Sequence, residues 1–288
     1  MQQLTLFHYE PPAKPVNVAT VPMRSPFRYP GGKTWFVPYI RKWLKRFGGD
    51  IELIEPFAGG GIVSLTAAFE NLAQKSIMVE KDEDIAAVWQ TILGGHGRWL
   101  AEQIINFEIT PKNVTTVLRR HPTSLRQRAF ITILKNRLHH GGILAHGAGL
   151  IKNGENGKGL SSRWYPRTLK KRIMDIMLVR SKIKFIQGDG LEIIEKNLDR
   201  KGVVFFIDPP YTKAGRRLYK YHEIDHEKLF DLVEHVNGDF LLTYDDAPEI
   251  EALALQRGLV MERVLMKTTH HLKKYELVIG RHLEWLRD

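Results

Sequence analysis

Apolar residues fall into short runs separated by polar, glycine-bearing connections, and the runs alternate between two periods. Ile51–Glu55 (IELIE) and Ser76–Glu80 (SIMVE) read as strands, followed by helices at Ile62–Leu72 and Asp84–Leu93. Upstream, Lys33–Phe47 alternates apolar and basic residues at helical spacing. Two or three helices are expected over roughly 98–138, a Gly-, His- and Asn-rich loop over 139–164, and a helix from Pro166 to Arg180. From Lys182 strand signals resume: KFIQ, VVFFI, DFLLTY, LVMERVLM and YELVIG, with helices between most of them. This alternation predicts an α/β, doubly wound, mostly parallel sheet covered on both faces, interrupted by a mainly helical insert. Residues 1–22 are Pro-punctuated and aperiodic, a loose tail. The expected division is therefore 23–93 and 182–288 for the sheet domain and 94–181 for the insert.

Composition narrows the chemistry. With 288 residues and 43% hydrophobic content the chain can bury one large core, or a core and a smaller lobe. It has no cysteine, which excludes disulfides, cysteine-ligated zinc and a thiolate nucleophile. The start, MQQLTLFHYEPPAKP, lacks the basic-then-apolar order of a signal peptide, and no apolar run has membrane-spanning length. The expectation is a soluble, cytoplasmic protein without a membrane partner.

Net charge is +11, and its distribution says more than the total. Lys112–Lys184 holds 17 Lys and Arg against two acids, Glu155 and Asp175, so this segment carries more than the whole excess. A solvated basic face would account for the charge alone. Four histidines, glycine-rich turns and Trp164-Tyr165 in the same segment favour a polyanion surface instead.

Three features fall at the carboxyl ends of expected strands, where open α/β sheets bind ligands. The first is the turn Glu55-Pro56-Phe57-Ala58-Gly59-Gly60-Gly61, which reads either as a plain tight turn or as a backbone cradle for a ligand. Glu80 closes the next strand, where a doubly wound domain places an acid for ribose hydroxyls; a helix cap is the other reading. Asp189, after KFIQG, is likewise a ligand contact or a cap. Together they indicate a nucleoside cofactor. Neither G-x-G-x-x-G nor a Gly-Lys-Ser/Thr phosphate loop is present, so a cofactor without phosphates, S-adenosylmethionine, fits best.

The last strand signal of this kind, VVFFI, ends on Asp208-Pro209-Pro210-Tyr211. Two successive prolines remove two backbone donors and keep the exit rigid and extended. One carboxylate, one free carbonyl and one ring are thereby aimed at one small volume. Asp208 and the Pro209 carbonyl can accept the two hydrogens of an exocyclic amine, shifting electron density onto its nitrogen, while Tyr211 offers a face for a base.

Phe27-Arg28-Tyr29-Pro30-Gly31-Gly32-Lys33, the glycine turn and Asp208-Pro209-Pro210-Tyr211, in this order, resemble the Dam-type DNA adenine methyltransferases, and the similarity runs from about Ser25 to about Arg281. Asn136-Arg137…Gly141-Gly142-Ile143 and Arg163-Trp164-Tyr165-Pro166 are similar to one branch of that family. The resemblance implies a seven-stranded methyltransferase sheet with an antiparallel last strand, a position that YELVIG fits. It places Tyr29, Lys33, Phe57, Gly59, Gly61, Glu80, Asp189 and Asp208 at the cofactor, with Asp208 also at the target amine and no metal. Tyr29 stands where Dam itself has Trp, and Gly190 follows Asp189 where an aromatic residue is common. Double-stranded DNA with a flipped adenine is the implied partner. The insert's Lys135, Asn136, Arg137, Arg163, Trp164 and Arg167 are candidates to hold it, against simple surface solubility for any one of the cations. A cognate restriction endonuclease is a further candidate partner, and a monomer or weak dimer is expected. Ring-carbon methylation of cytosine is excluded by the missing cysteine. Amine methylation of cytosine, adenine methylation in RNA, and nucleic-acid binding with a relic cofactor fold remain alternatives.

Overall fold

The computed structural model describes residues 20–145, 147–154, 157–212, 215–267 and 273–287. Most of the expected tail, 1–19, lies outside the described residues, whereas Val21 is buried in the core.

Seven strands form one sheet: β1 Glu52–Glu55, β2 Lys75–Glu80, β3 Ile183–Gln187, β4 Val203–Ile207, β5 Asp239–Asp245, β6 Val260–Lys267 and β7 Lys273–Gly280. Their order is β3-β2-β1-β4-β5-β7-β6. The first five are mutually parallel, and β7 inserts antiparallel between β5 and β6. This is the doubly wound methyltransferase sheet expected from the resemblance, with YELVIG in the antiparallel place. β4 is central, and all five residues of VVFFI are buried, which is why the run shows no alternation.

Helices cover both faces: α1 Val37–Lys45, α2 Ile62–Glu70, α3 Glu83–Thr91, α4 Gly97–Asn106, α5 Pro111–Leu118, α6 Leu125–Leu138, α7 Pro166–Val179, α8 Gly190–Glu195, α9 Gly215–Leu218, α10 His226–His235 and α11 Pro248–Gln256. The helix expected over Lys33–Phe47 begins as a 3₁₀ turn, Lys33–Phe36, before α1. α3 starts at Glu83 because the Asp82 carboxylate caps it, accepting from the Asp84 amide at 2.8 Å. It passes through a π-turn, Ile92–His96, into α4, with Gly95 taking φ +94° at the join.

The insert has no core of its own. One cluster runs from Met78 on β2 through Ile85 and Trp89 on α3 to Leu100, Ile133 and Ile176 on α4, α6 and α7, and back to Ile183 on β3. A second cluster packs α1 and α2 on the same face, against Leu53 of β1 and Val204 and Phe206 of β4, and a third covers the other face, packing Leu229 and Phe230 of α10 against Ile54, Phe205 and Ile207. Strand order reverses between β1 and β4, so the crevice of the topological switch point opens between the turn after β1 and the end of β4.

Candidate active site

That crevice is one mouth of a cleft of about 1800 Å³, bounded by the sheet's carboxyl edge, the segment Met23–Trp35 and the insert. The turn after β1 is fixed from several sides. Ala58 N donates to Val79 O at 2.9 Å, Trp89 Nε1 to Gly59 O at 2.9 Å, and Gly59 N to Glu80 Oε2 at 3.0 Å. Glu55 accepts from Ser64 N in the first turn of α2. Gly59 and Gly61 adopt φ of +47° and +63°. A β-carbon on Gly59 would lie 2.5 Å from the Tyr29 ring, and one on Gly61 would lie 2.4 Å from Met78 Cε. Glycine is thus required here by the protein's own packing.

Glu80 is not the helix cap, since Asp82 fills that place; its Oε1 accepts from Asp82 N at 2.9 Å. Burial, chiefly, with the neighbouring Asp82 charge pushes its carboxyl up to about 7, against the pull of these backbone donors. Burial likewise raises Glu55, to about 8, with Asp208 adding to the effect against the Ser64 hydrogen bonds. Asp189 is a helix cap, accepting from Leu191 N at 2.9 Å, and pairs with Lys81 at 2.8 Å. Glycine follows it because a β-carbon at 190 would lie 2.6 Å from Pro56 O and 2.8 Å from the Phe57 ring. The Phe57 ring lies against Gly190, the residue after Asp189.

Asp208 belongs to a buried ionic cluster. Lys33, 2% exposed, contacts Asp208 Oδ1 at 2.8 Å, Glu276 Oε1 at 2.7 Å, Tyr211 Oη at 2.6 Å and Gly31 O at 3.1 Å. Thr243 Oγ1 donates to Asp208 Oδ1 at 3.0 Å, and the Tyr211 hydroxyl donates to Glu276. Burial pushes both carboxyls up while the shared ammonium pulls both down, and the net direction is upward. Burial opposes the charge on Lys33, but the two carboxylates outweigh it and raise its pKa. Tyr211 is therefore fixed by its hydroxyl, with Lys33 Nζ 5.0 Å from its ring centroid. Tyr29 stacks on Tyr219 at 5.7 Å between centroids, and the Tyr219 hydroxyl donates to Pro30 O.

The sequence reading missed Glu276, Thr243 and Tyr219. Glu276 did carry a signal, as the lone acid in the apolar run YELVIG. Thr243 and Tyr219 carried none.

The nucleic-acid candidates separate by environment. Arg167 is exposed, and Lys135 and Arg163 are half-buried. Asn136 is fully buried and cannot face a bound nucleic acid: its amide accepts from Arg28 N and donates to Arg28 O and Gly142 O. Arg137 is buried at the cleft wall and donates to Pro26 O. Trp164 is packed edge-on against Phe107 in the core rather than presented as a surface ring. Asn136 and Arg137 thus tie Pro26 and Arg28 to the insert.

The donor set around the glycine turn fits a cofactor of the expected kind. Glu80, Asp189 and Asp208 offer carboxylates to hydroxyl and ammonium groups, Phe57 and Tyr29 offer rings, and Lys81 is already paired with Asp189. Strand order, glycine turn and a carboxylate at the switch point define a methyltransferase-type site. The family model for the D12 class N6 adenine-specific DNA methyltransferases matches residues 29–91, which span Gly31-Gly32-Lys33, the glycine turn and Glu80. No curated protein matches the chain. Among solved structures, the chain is similar to an S-adenosylmethionine-dependent methyltransferase of Agrobacterium tumefaciens, with 10% identity, a TM-score of 0.43, and 86% of this chain and 61% of that chain covered. It is also similar to the rRNA methyltransferase aviRa of Streptomyces viridochromogenes, with 13% identity, a TM-score of 0.41, and 90% and 88% covered. The sheet order and the stretch matched by the family model together support a methyltransferase.

Proposed function

We propose that the chain is a site-specific DNA methyltransferase acting on the exocyclic N6 amine of adenine. The observation that carries this reading is the end of β4, where Asp208, Pro210 and Tyr211 line the cleft together with the glycine turn at the switch point of the sheet. S-adenosylmethionine would supply an electrophilic methyl group, held by Glu80 at its ribose and by the glycine turn, Phe57 and Tyr29 along its length. Asp208 and Pro209 O accept the amine's hydrogens, which localises the nitrogen lone pair and aims it. Lys33 and Thr243 hold the carboxylate in one orientation while this happens. Tyr211, clamped by its hydroxyl, limits where the base can lie. A base in a duplex cannot reach this crevice, so the adenine must leave the stack.

Transfer of a labelled methyl group to duplex DNA, single-stranded DNA and ribosomal RNA tests the reading. Label recovered as N6-methyladenine from duplex DNA is the expected result. Label confined to RNA, or recovered as N4-methylcytosine, would overturn it.

A further inference from the structure

The outer face of α5 carries a single kind of chemistry. Lys112, Thr115, Thr116, Arg119 and Arg120 fall at i, i+3, i+4, i+7 and i+8, on one side of the helix and its carboxyl end. All five are exposed, and together with Pro111 they line one open depression. The opposite side is apolar: Val114 is buried, and Val117 and Leu118 pack on the core. The chain has no Asp or Glu between Glu108 and Glu155. Among the described residues no carboxylate pairs with Lys112, Arg119 or Arg120, and neither threonine hydroxyl is bonded within the protein. Elsewhere on the outside opposite charges meet: Lys171 pairs with Asp175 on α7, Lys196 with Glu192 on α8, and Lys228 on α10 with Glu195.

A face that serves only solubility mixes both signs of charge. Here every polar side chain can donate a hydrogen bond and three of the five are cations, which suits an anionic, acceptor-rich partner. The sugar-phosphate backbone is such a partner, since it takes cations at its phosphates and hydroxyl donors at its oxygens. We propose that the outer face of α5 is a second nucleic-acid contact, which grips the duplex backbone away from the flipped base. The contact rests on the DNA methyltransferase reading above and lies outside the cleft that reading uses, for none of the five residues lines that cleft.

Its position suits flanking duplex. The first turn of α6 is fixed beside the cleft, because Arg128 donates to Asp84 at 2.9 Å, two residues beyond the cleft-lining Asp82. The last turn of α6 carries Arg137, on the cleft wall. The helix therefore runs along one side of the cleft, and α5 joins it at the end away from Arg137. A helix of this length spans about 20 Å. At about 3.4 Å per base pair that is roughly six base pairs of flanking DNA. Contact here is with backbone alone, so it strengthens binding to every sequence and selects none.

Two measurements on the full chain test the surface. The first is the salt dependence of binding to a mixed-sequence DNA duplex of about 20 base pairs, read by fluorescence anisotropy. The triple variant Lys112→Gln, Arg119→Gln, Arg120→Gln should flatten the slope of log affinity against log salt by about two units. Cofactor affinity, read by calorimetry, should be unchanged. A control triple, Lys75→Gln, Lys196→Gln, Lys201→Gln, removes the same net charge from exposed positions outside the insert and should keep the slope. The second measurement uses the wild-type protein and so does not depend on a variant's folding. Acetylation of Lys112 should slow several-fold in the presence of the duplex, while that of Lys75, at the start of β2, should not change. An unchanged slope in the α5 variant, equal flattening in the control, or acetylation of Lys112 indifferent to DNA would overturn the surface. Protection by a ribosomal RNA fragment and not by the duplex would overturn a DNA occupant. Wild-type protein that binds the duplex while the α5 variant loses nothing refutes the surface alone; wild-type protein that binds no duplex refutes the DNA reading, and the surface with it.

Discussion

Lys33 neutralises one of the two carboxylates it touches, and Glu276 decides how much of that charge Asp208 receives. Glu276→Gln leaves the ammonium to Asp208 alone, which lowers the carboxylate's power to accept from the amine. Turnover should fall on the order of tenfold with little change in cofactor affinity. Asp208→Ala removes the acceptor itself, and turnover at saturating cofactor should fall on the order of a hundredfold or more, with DNA affinity nearly unchanged. Steady-state kinetics with separate calorimetric binding curves distinguishes the two, and wild-type turnover in the Ala variant would remove Asp208 from the reaction. Glu80 makes a prediction about pH. Its carboxyl titrates near 7 in the free protein, and hydroxyl donors from a ribose favour its ionised form. Below that pH binding must displace a proton, so cofactor affinity should weaken on acidification by up to about tenfold per unit and level off above it. In Glu80→Gln the dependence should vanish and binding should be weaker throughout; calorimetry at pH 6, 7 and 8 decides the matter.

The segment Ser25–Phe36 is neither strand nor long helix, and its place is set by others. Asn136 satisfies both backbone groups of Arg28, while Arg137 and Arg172 hold the carbonyls of Pro26 and Ser25. Asn136→Ala would leave these buried groups without partners, a loss of about 2 kcal/mol read by chemical denaturation. Hydrogen exchange should quicken over 25–33, and cofactor affinity should drop because Tyr29 follows Arg28 directly. Unaltered exchange in that segment would show that the side chain is only a filler. What was legible in the sequence follows the same division. Strands and helices with a clear period, such as VVFFI or Ile62–Leu72, were visible because local pattern and tertiary burial agree. The motif Asn136-Arg137 was visible as a motif and read as a surface, because nothing local distinguishes an arginine facing phosphate from one bonded to a carbonyl 111 residues away. Glu276 was passed over for a similar reason. Its partner Lys33 lies on the far side of the sequence, and only the strand order brings them together.

The sheet and insert form one folding unit, because α4, α6 and α7 complete the core that begins on β2 and α3. The sequence partition into a catalytic domain and a recognition insert describes charge and composition, while the packing crosses that boundary. A single cooperative thermal transition is therefore expected, with calorimetric and van't Hoff enthalpies in agreement. Removing 97–179 would expose Trp89, Ile85 and Ile183 and should yield a protein without a cooperative transition. Two separated transitions in the intact chain would show that the shared cluster does not couple the parts. Across the described residues no helix is long and apolar enough to cross a membrane, and the largest basic excess lies in the insert.

The place of β7 has a consequence for how the molecule is made. A ribosome releases Lys33 first, Asp208 much later and Glu276 later still, and β7 must then pair with the free edge of β5, with β6 joining the sheet only through β7. Until it does, β5 presents an open edge and the Lys33 ammonium has one carboxylate in place of two. The site is therefore finished by the last strand of the sheet to be synthesised. A growing chain can bury its parallel half and much of its insert while the cluster around Asp208 is still incomplete.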